Sequence, residues 1–237
     1  MKVNTGIAEI AITYRCQNRC DNCGTLCTQA PCDFGDLSLE DIERFIKETI
    51  DEKHQWGLIT LTGGEPTLHP DFEEICDLLC DYKAKNNPGM GFQVVTNGYG
   101  RITEECMAYA KSKGMGVGLA YKAGRNRCLY VPVNDSPSDN GVPFTLGCNI
   151  SQDCGPDFNF LGWYECTPTA AAARVFNYEP IGKTLHEFLE KTRSDSYIPV
   201  HCKHCAHSWP ERKREMAQVT SPTWQKAFDD YKERNRI

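Results

Sequence analysis

Three cysteines near the start of the chain, Cys16, Cys20 and Cys23, have a C-x3-C-x2-C spacing. Thiolates are the ordinary protein ligands of iron–sulfur clusters, so a loop that carries three of them can hold three irons of a [4Fe-4S] cluster. The fourth iron then has no protein ligand and is open to a small chelating molecule. Neither ferredoxin spacing nor the paired C-x2-C knuckles of zinc ribbons fits this loop.

A second set of cysteines comprises two separate residues and a C-x2-C pair: Cys148, Cys166, Cys202 and Cys205. Four such thiolates can complete a cluster site without any further ligand. Cys154 is an alternative member of this set. A structural zinc site is an alternative use of it, because three histidines lie beside the C-x2-C pair, namely His201, His204 and His207.

The first cysteine loop must be positioned by the apolar run before it, residues 7–13, which is predicted to be a strand. Because side chains alternate along a strand, Ala8, Ile10 and Ile12 share one face, and Glu9 and Thr13 share the other. If helices cover the apolar face, Glu9 points toward a lumen. A solvated sheet edge is the alternative position for Glu9.

A second motif, Gly63-Gly64-Glu65-Pro66, directly follows a predicted strand at 58–62. The glycines permit backbone angles closed to other residues and a close approach of the backbone to a ligand, while Glu65 offers an acceptor for an ammonium group. The alternative is a plain turn between a strand and a helix. A third strand, at 92–96, ends in Thr96-Asn97-Gly98.

Strands and helices are predicted to alternate over the first half of the chain, which implies a parallel sheet with right-handed crossovers. Ser38 is predicted to cap the first helix, whose apolar stripe includes Ile42, Phe45 and Ile50. Further helices are predicted at 71–85, 102–113 and 223–237. Thr167-Pro168 is predicted to cap a helix that runs through 170–173. Further strands are predicted at 115–122 and 129–133. Four cysteines near these elements are interpreted as buried thiols rather than ligands: Cys27, Cys32, Cys76 and Cys80.

The composition narrows the classes of function. The net charge of −6 over 237 residues disfavours general nucleic-acid binding. No apolar run approaches the length that spans a membrane, and the N-terminus has no signal-peptide pattern. Fourteen cysteines without an export signal favour metal ligation over disulfides, and hence a reducing cytoplasm.

The two motifs, in this order, resemble the radical S-adenosylmethionine (radical SAM) superfamily. The resemblance implies an α/β fold with a partial (β/α)6, TIM-like barrel, in which S-adenosylmethionine chelates the open iron. Residues expected to contact it are Gly63, Gly64, Glu65, Pro66, Thr96 and Asn97. Asn22 departs from the aromatic residue usual before the third cysteine, so adenine contacts are left unassigned.

The second cysteine set resembles the twitch subdomain, a relative of the SPASM domain, which carries an auxiliary [4Fe-4S] cluster. By this resemblance, residues 1–140 form the radical SAM core and 141–237 a small auxiliary-cluster subdomain with a C-terminal helix. The ligands then expected are Cys16, Cys20 and Cys23 for the first cluster and Cys148, Cys166, Cys202 and Cys205 for the second.

The resemblance implies that a 5′-deoxyadenosyl radical removes hydrogen from the substrate, while the auxiliary cluster takes up an electron. An external one-electron donor such as a flavodoxin or ferredoxin is then expected. Candidates for a base are Glu9, Tyr121, Lys122 and Arg125. Only fifteen residues precede Cys16, which favours a small molecule (sugar, aminocyclitol or nucleotide-sugar) over a peptide. A maturase acting on a ribosomally made peptide and a non-catalytic iron–sulfur or zinc protein are the alternatives.

Overall fold

The computed structural model describes residues 3–21, 23–120, 137–141, 148–208 and 220–236. Five predictions made from the sequence lie outside these residues. They concern Asn22, the base candidates Tyr121, Lys122 and Arg125, and the strand at 129–133.

Strands and helices alternate along the first half of the chain, as the sequence predicts. The strands are β1 (Ile7–Thr13), β2 (Leu58–Gly63), β3 (Gly91–Thr96) and β4 (Gly116–Leu119). The helices between them are α1 (Leu39–Asp51), α2 (Phe72–Asn86) and α3 (Arg101–Ser112). All neighbouring pairs among these four strands are parallel, so their carboxyl ends lie along one edge of the sheet.

The second half of the chain adds two short strands to the same sheet. Its elements are α4 (Pro137–Asn140), α5 (Ile150–Asp153), β5 (Asp157–Asn159), β6 (Gly162–Tyr164), α6 (Thr167–Phe176), α7 (Leu185–Arg193) and α8 (Pro222–Asn235). The sheet order is β4-β3-β2-β1-β5-β6, with β5 parallel to β1 and β6 antiparallel to β5. The predicted division after residue 140 stays a prediction, and the sheet continues across it.

Helix α1 shows how the local sequence fixes an element. Ser38 accepts a hydrogen bond from the backbone N–H of Asp41, whose carboxylate accepts one in return, which is the capping box that favours a helix start. Phe45 is fully buried, but Ile50 is 44% exposed, so the predicted apolar stripe is wrong at that position. Thr49 takes the buried place, because its hydroxyl donates to the Phe45 carbonyl and accepts from the Trp56 indole.

The hydrophobic core lies between one face of the sheet and the helices. Ala8, Ile10 and Ile12 of β1 contribute to it from the sheet side. Phe45 packs between Trp56 and Trp163, with ring centroids 6.1 and 5.6 Å away. These contacts attach β6 to α1, and so join the two halves of the chain.

We expect Phe45→Ala to lower the free energy of unfolding by about 3–5 kcal/mol, because it removes a buried ring and leaves a cavity. Ile50→Ala on the same helix is the control and is expected to cost less than about 1 kcal/mol, since Ile50 is half exposed. Urea unfolding followed by circular dichroism measures both. Equal losses in the two variants would contradict the placement of Phe45.

Candidate active site

The cysteine loop follows β1 directly. Cys20 is buried, and Cys16 and Cys23 are half-buried. Burial raises the pKa of Cys16 to about 11, and the nearby Cys23, Glu65 and Cys20 raise it further. The three thiols predicted to hold a cluster therefore lie near one another and near Glu65.

The start of this loop is anchored by Asp36. Thr13 donates its hydroxyl to Asp36 Oδ1 at 2.6 Å, and Arg15 Nη2 lies 2.9 Å from Asp36 Oδ2. The next residue, Leu37, donates its N–H to the Ile12 carbonyl at 2.8 Å. The residues just before Cys16 are therefore fixed by an ion pair and by backbone hydrogen bonds.

The two glycines of the second motif let its backbone lie directly against the start of the cysteine loop. Gly63 has a φ of +128°, and a Cβ there would lie 2.1 Å from the Thr13 carbonyl oxygen. A Cβ at Gly64 would lie 2.3 Å from the Arg15 carbonyl oxygen. Gly64 N–H and Glu65 N–H donate to these same carbonyls, each at 2.8 Å. Glycine is therefore required here by contact between two backbone segments, and contact with S-adenosylmethionine stays a prediction.

The Glu65 carboxylate is fully buried and joins the ends of β2 and β3. It accepts hydrogen bonds from the hydroxyls of Thr67 and Thr96 at 2.7 and 2.6 Å, and from Asn97 N–H at 2.7 Å. Pro66, also buried, begins a 3-10 turn (Pro66–Leu68). Glu65 therefore fixes the geometry of the two strand ends, and its predicted contact with an ammonium group stays a prediction.

Gln17, which the sequence reasoning missed, connects the cysteine loop to the end of β3. Its side-chain amide donates to the Tyr99 carbonyl at 2.7 Å and pairs with the amide of Asn97 at 3.3 Å in both directions. Nothing in the sequence marks Gln17 apart from its place in the first cysteine spacer. With this contact, the structure brings together the cysteine loop, Gly63–Pro66 and Thr96–Asn97.

The face of the sheet opposite helices α1, α2 and α3 carries a row of polar residues. Gln93 of β3, Thr60 of β2, Glu9 of β1 and Asp157 of β5 occupy neighbouring positions in register. Since β1 lies between β2 and β5, Glu9 is inside the sheet, and the alternative of a solvated edge is wrong. Asp157 was missed because a three-residue strand gives no periodic signal in the sequence.

Glu9 and Asp157 form a pair of carboxyl groups at the end of this row. The Thr167 hydroxyl lies within hydrogen-bonding distance of both, 2.9 Å from Asp157 Oδ2. Burial raises the pKa of Glu9. Burial, and then the charge of Glu9, raises the pKa of Asp157 to about 8. Asn159 donates to Asp157 and to the Tyr14 hydroxyl, which links the pair to the end of β1.

The second cysteine set surrounds the N-terminus of α6. Cys166 is the N-cap residue of α6, because its backbone N–H donates to the Thr169 hydroxyl. The N-cap therefore lies one position before the Thr167 cap that the sequence predicts. Cys202 and Cys205 are buried at a 3-10 turn (Val200–His204) and its end. Burial raises the pKa of Cys166, and the nearby Cys205 and Cys148 raise it further. These four thiols therefore share one neighbourhood, and their role as ligands stays a prediction.

The alternative ligand Cys154 lies in a different environment. It contacts the Glu9 carboxyl, which together with burial raises the pKa of Cys154 to about 12. The strongest charge interactions of Cys166 and Cys202 include Cys148 but not Cys154. Because Cys154 also lies near Cys148, the choice of Cys148 over Cys154 as the fourth member of the set stays a prediction.

Two of the three histidines that suggest zinc, His201 and His204, form hydrogen bonds with protein groups. His201 Nδ1 lies 2.9 Å from Glu165 and its Nε2 lies 3.1 Å from the Glu179 carbonyl. His204 has the hydroxyls of Ser138 and Tyr178 at 2.9 Å from its two nitrogens. In the described parts of the chain, no three His, Cys, Asp or Glu side chains are grouped closely enough to hold a single metal ion. An iron–sulfur cluster at the four thiols stays a prediction, with zinc as its alternative.

The chain matches the family model "Radical SAM superfamily" over residues 10–134, more than half of its length. A GTP 3′,8-cyclase from Campylobacter jejuni subsp. doylei is 34% identical over 94 residues, 38% of this chain and 27% of that protein. An S-adenosylmethionine-dependent nucleotide dehydratase from a Thermoplasmatales archaeon is 36% identical over 109 residues, which are 45% of this chain and 33% of that protein. Mycofactocin maturase MftC from Mycobacterium tuberculosis is 37% identical over 94 residues, which are 40% of this chain and 21% of that protein.

These alignments span at most about a third of each relative. Among solved structures, BtrN in complex with AdoMet and 2-DOIA has a TM-score of 0.57 at 13% identity, covering 90% of this chain and 99% of BtrN. BtrN in an open conformation has a TM-score of 0.52 at 11% identity, covering 93% and 96%. The similarity confirms the predicted partial-barrel fold. No helix in the described residues is long and apolar enough to cross a membrane.

We expect Gly64→Ala to lower the iron content after anaerobic reconstitution, because its Cβ must displace the Arg15 carbonyl and with it the cysteine loop. Gly89→Ala is the matched control, since no atom lies within 4 Å of a Cβ at that position. Iron and sulfide analysis measures the effect. The same iron content in both variants would show that the close backbone contact is not needed for the site.

We expect stability to depend on the ionisation of Asp157. The native carboxyl holds its proton up to a pH of about 8, whereas the unfolded chain releases it near its ordinary pKa of about 3.9. The native state thus binds more protons in this window, so the free energy of unfolding falls as pH rises, by at most about 1.4 kcal/mol per pH unit. Urea unfolding from about pH 6 to about pH 8 should show a shallower fall for Asp157→Asn. The exposed Asp195→Asn should keep the wild-type slope, and a wild-type slope in Asp157→Asn would contradict the assignment.

Proposed function

The chain belongs to the radical SAM superfamily, and from that membership we propose that it is an oxidoreductase acting on a small hydroxyl-bearing molecule: a sugar, an aminocyclitol or a nucleotide-sugar. The observation that carries the proposal is the polar row on the sheet face away from the helices. This row ends in the Glu9–Asp157 carboxyl pair, which the Thr167 hydroxyl contacts.

The residues present fit the expected cofactors. Cys16, Cys20 and Cys23 would hold the first [4Fe-4S] cluster, and the segments Gly63–Pro66 and Thr96–Asn97 would border S-adenosylmethionine. Cys148, Cys166, Cys202 and Cys205 would hold the second. When bound, these groups supply a 5′-deoxyadenosyl radical that takes a hydrogen atom and an acceptor for one further electron.

Oxidation of an alcohol carbon also releases a proton, which needs an acceptor near the substrate. Glu9 is half-buried on the face away from the helices, and Asp157 lies beside it in register. Two neighbouring carboxyl groups tend to hold one proton between them, since both ionise together only at a cost. Glu9 is therefore the proposed proton acceptor and Asp157 the group that orients it through Thr167. Thr167, which contacts the proton acceptor, directly follows Cys166, a proposed ligand of the electron acceptor.

Relatives of known activity support a small polar substrate without identifying it. The names of two of them refer to GTP and to a nucleotide, and BtrN was solved with AdoMet and 2-DOIA. The alignment with mycofactocin maturase MftC supports the second candidate, a maturase acting on a ribosomal peptide. A non-catalytic iron–sulfur or zinc protein is disfavoured by the family. An external one-electron donor, a flavodoxin or a ferredoxin, and a reducing cytoplasm belong to the proposal.

We expect the reconstituted protein, reduced with dithionite, to cleave S-adenosylmethionine slowly to 5′-deoxyadenosine without substrate. Cys23→Ser should abolish this cleavage, because it removes a ligand of the first cluster. Chromatography of the nucleosides measures the product. If the wild-type protein holds iron but releases no 5′-deoxyadenosine, the proposed function fails.

The second cluster is tested with two cysteine variants in the same assay. Cys205→Ser should lose about four of about eight irons per chain and still cleave S-adenosylmethionine. Cys154→Ser should keep the full iron content, because the thiol contacts Glu9 instead. Bound zinc with about four irons in the wild type would remove the second cluster from the proposal. Carbon-deuterated sugars, aminocyclitols and a peptide, each tested for deuterium transfer to 5′-deoxyadenosine, then separate the two substrate classes.

A further inference from the structure

Arg174 of α6 is a positively charged side chain that is almost fully buried. It is 4% exposed and reaches from α6 to the segment that follows Cys23. Nη1 donates to the Ala30 carbonyl at 2.7 Å and Nη2 to the Thr25 carbonyl at 3.2 Å. The guanidinium also lies 4.5 Å from the centre of the Tyr14 ring, two residues before Cys16.

No carboxylate of the described residues forms an ion pair with Arg174, and its Nε–H has no hydrogen-bond partner among them. Burying a charge costs several kcal/mol unless an opposite charge compensates it. Carbonyls and ring faces offset part of this cost, but they carry no net charge. The guanidinium, which also donates to the Tyr231 hydroxyl, therefore has no counter-charge within the part of the chain that the structure describes.

The side of Arg174 that faces away from the cysteine loop adds further positive charge. Arg174 also lines a cavity of about 500 Å³ together with Arg44, Lys183 and Arg234, which are all cationic. Glu179 is the single acidic residue in that lining. The missing negative charge is therefore not found on this side, among the described residues.

On the side of the cysteine loop, Thr25 connects Arg174 to the predicted cluster ligands. Its carbonyl accepts from Arg174, and its hydroxyl lies 3.2 Å from the sulfur atoms of both Cys23 and Cys27. A [4Fe-4S] cluster held by three thiolates carries a net negative charge, which becomes more negative by one unit on reduction. One residue, Thr25, therefore connects the uncompensated positive charge to a predicted ligand of the cluster.

We propose that Arg174 is the buried counter-charge of the N-terminal cluster and makes that cluster easier to reduce. Net charge and hydrogen bonding near the cluster set its reduction potential. A fixed positive charge stabilises the form that has gained an electron, with no bond made or broken. The inference rests on the first cluster of the proposed function, and on neither the substrate nor the second cluster.

The test is a redox titration of the reconstituted protein with dithionite, followed by electron paramagnetic resonance. The signal that changes on adding S-adenosylmethionine identifies the N-terminal cluster. Arg174→Met should lower the ratio of reduced to oxidised cluster at least tenfold at the wild-type midpoint, a shift of about 59 mV to more negative potential. Arg174→Lys, which keeps the charge, should stay near the wild type.

Arg234→Met is the matched control, because Arg234 is an exposed cation that donates to the Arg174 carbonyl. It should leave the potential unchanged. An unchanged potential in Arg174→Met, or an equal shift in all three variants, overturns the proposal. A wild-type protein that forms no cluster instead defeats the proposed function, so the two failures are distinct.

If Arg174→Met loads the cluster only in part, thermal unfolding gives a second measurement. Cluster loading should raise the melting temperature more in the wild type and in Arg174→Lys than in Arg174→Met, because loading compensates the buried charge only when that charge is present. Iron analysis determines the fraction of each variant that holds a cluster, and the rise in melting temperature is divided by that fraction. An equal gain per loaded cluster in all three overturns the proposal.

Discussion

The contact on which the rest of the site depends is the close approach of the Gly63-Gly64-Glu65 backbone to the residues before the cysteine loop. A side chain at either glycine would occupy the position of the Thr13 or Arg15 carbonyl. The same segment turns Glu65 inward to bind the end of β3. One backbone contact thus fixes the relative positions of three strand ends, and with them the cysteine loop and the residues expected to border S-adenosylmethionine.

The second half of the chain supplies charged and polar groups to the region formed by the first half. β5 brings Asp157 beside Glu9, and α6 brings Thr167 to both carboxyl groups. Helices α6 and α8 also cover Leu26 and Ala30, which follow the cysteine loop. Trp224 and Tyr231 of α8 pack on this covered segment. The active region is therefore assembled from both halves.

Features that depend on local pattern could be predicted from the sequence. The four parallel strands, the Ser38 cap and the two cysteine sets all follow from spacing, alternation or capping residues. Features that depend on long-range contact could not be predicted. Ile50 is exposed because Thr49 bonds to Trp56, and Asp157 and Gln17 acquire partners that are remote in the sequence. The glycine motif was recognised, but its steric cause lies in a strand fifty residues earlier.

Helix α6 carries Cys166 at its first end and Arg174 a little more than two turns further on. At about 1.5 Å per residue, roughly 12 Å of helix separates the two positions. Each residue added or removed between them would rotate one position by about 100° relative to the other. The number of residues between Cys166 and Arg174 is therefore constrained by the positions of the two cysteine sets. A single residue inserted between Cys166 and Arg174 would therefore turn one of these two side chains away from its present neighbours.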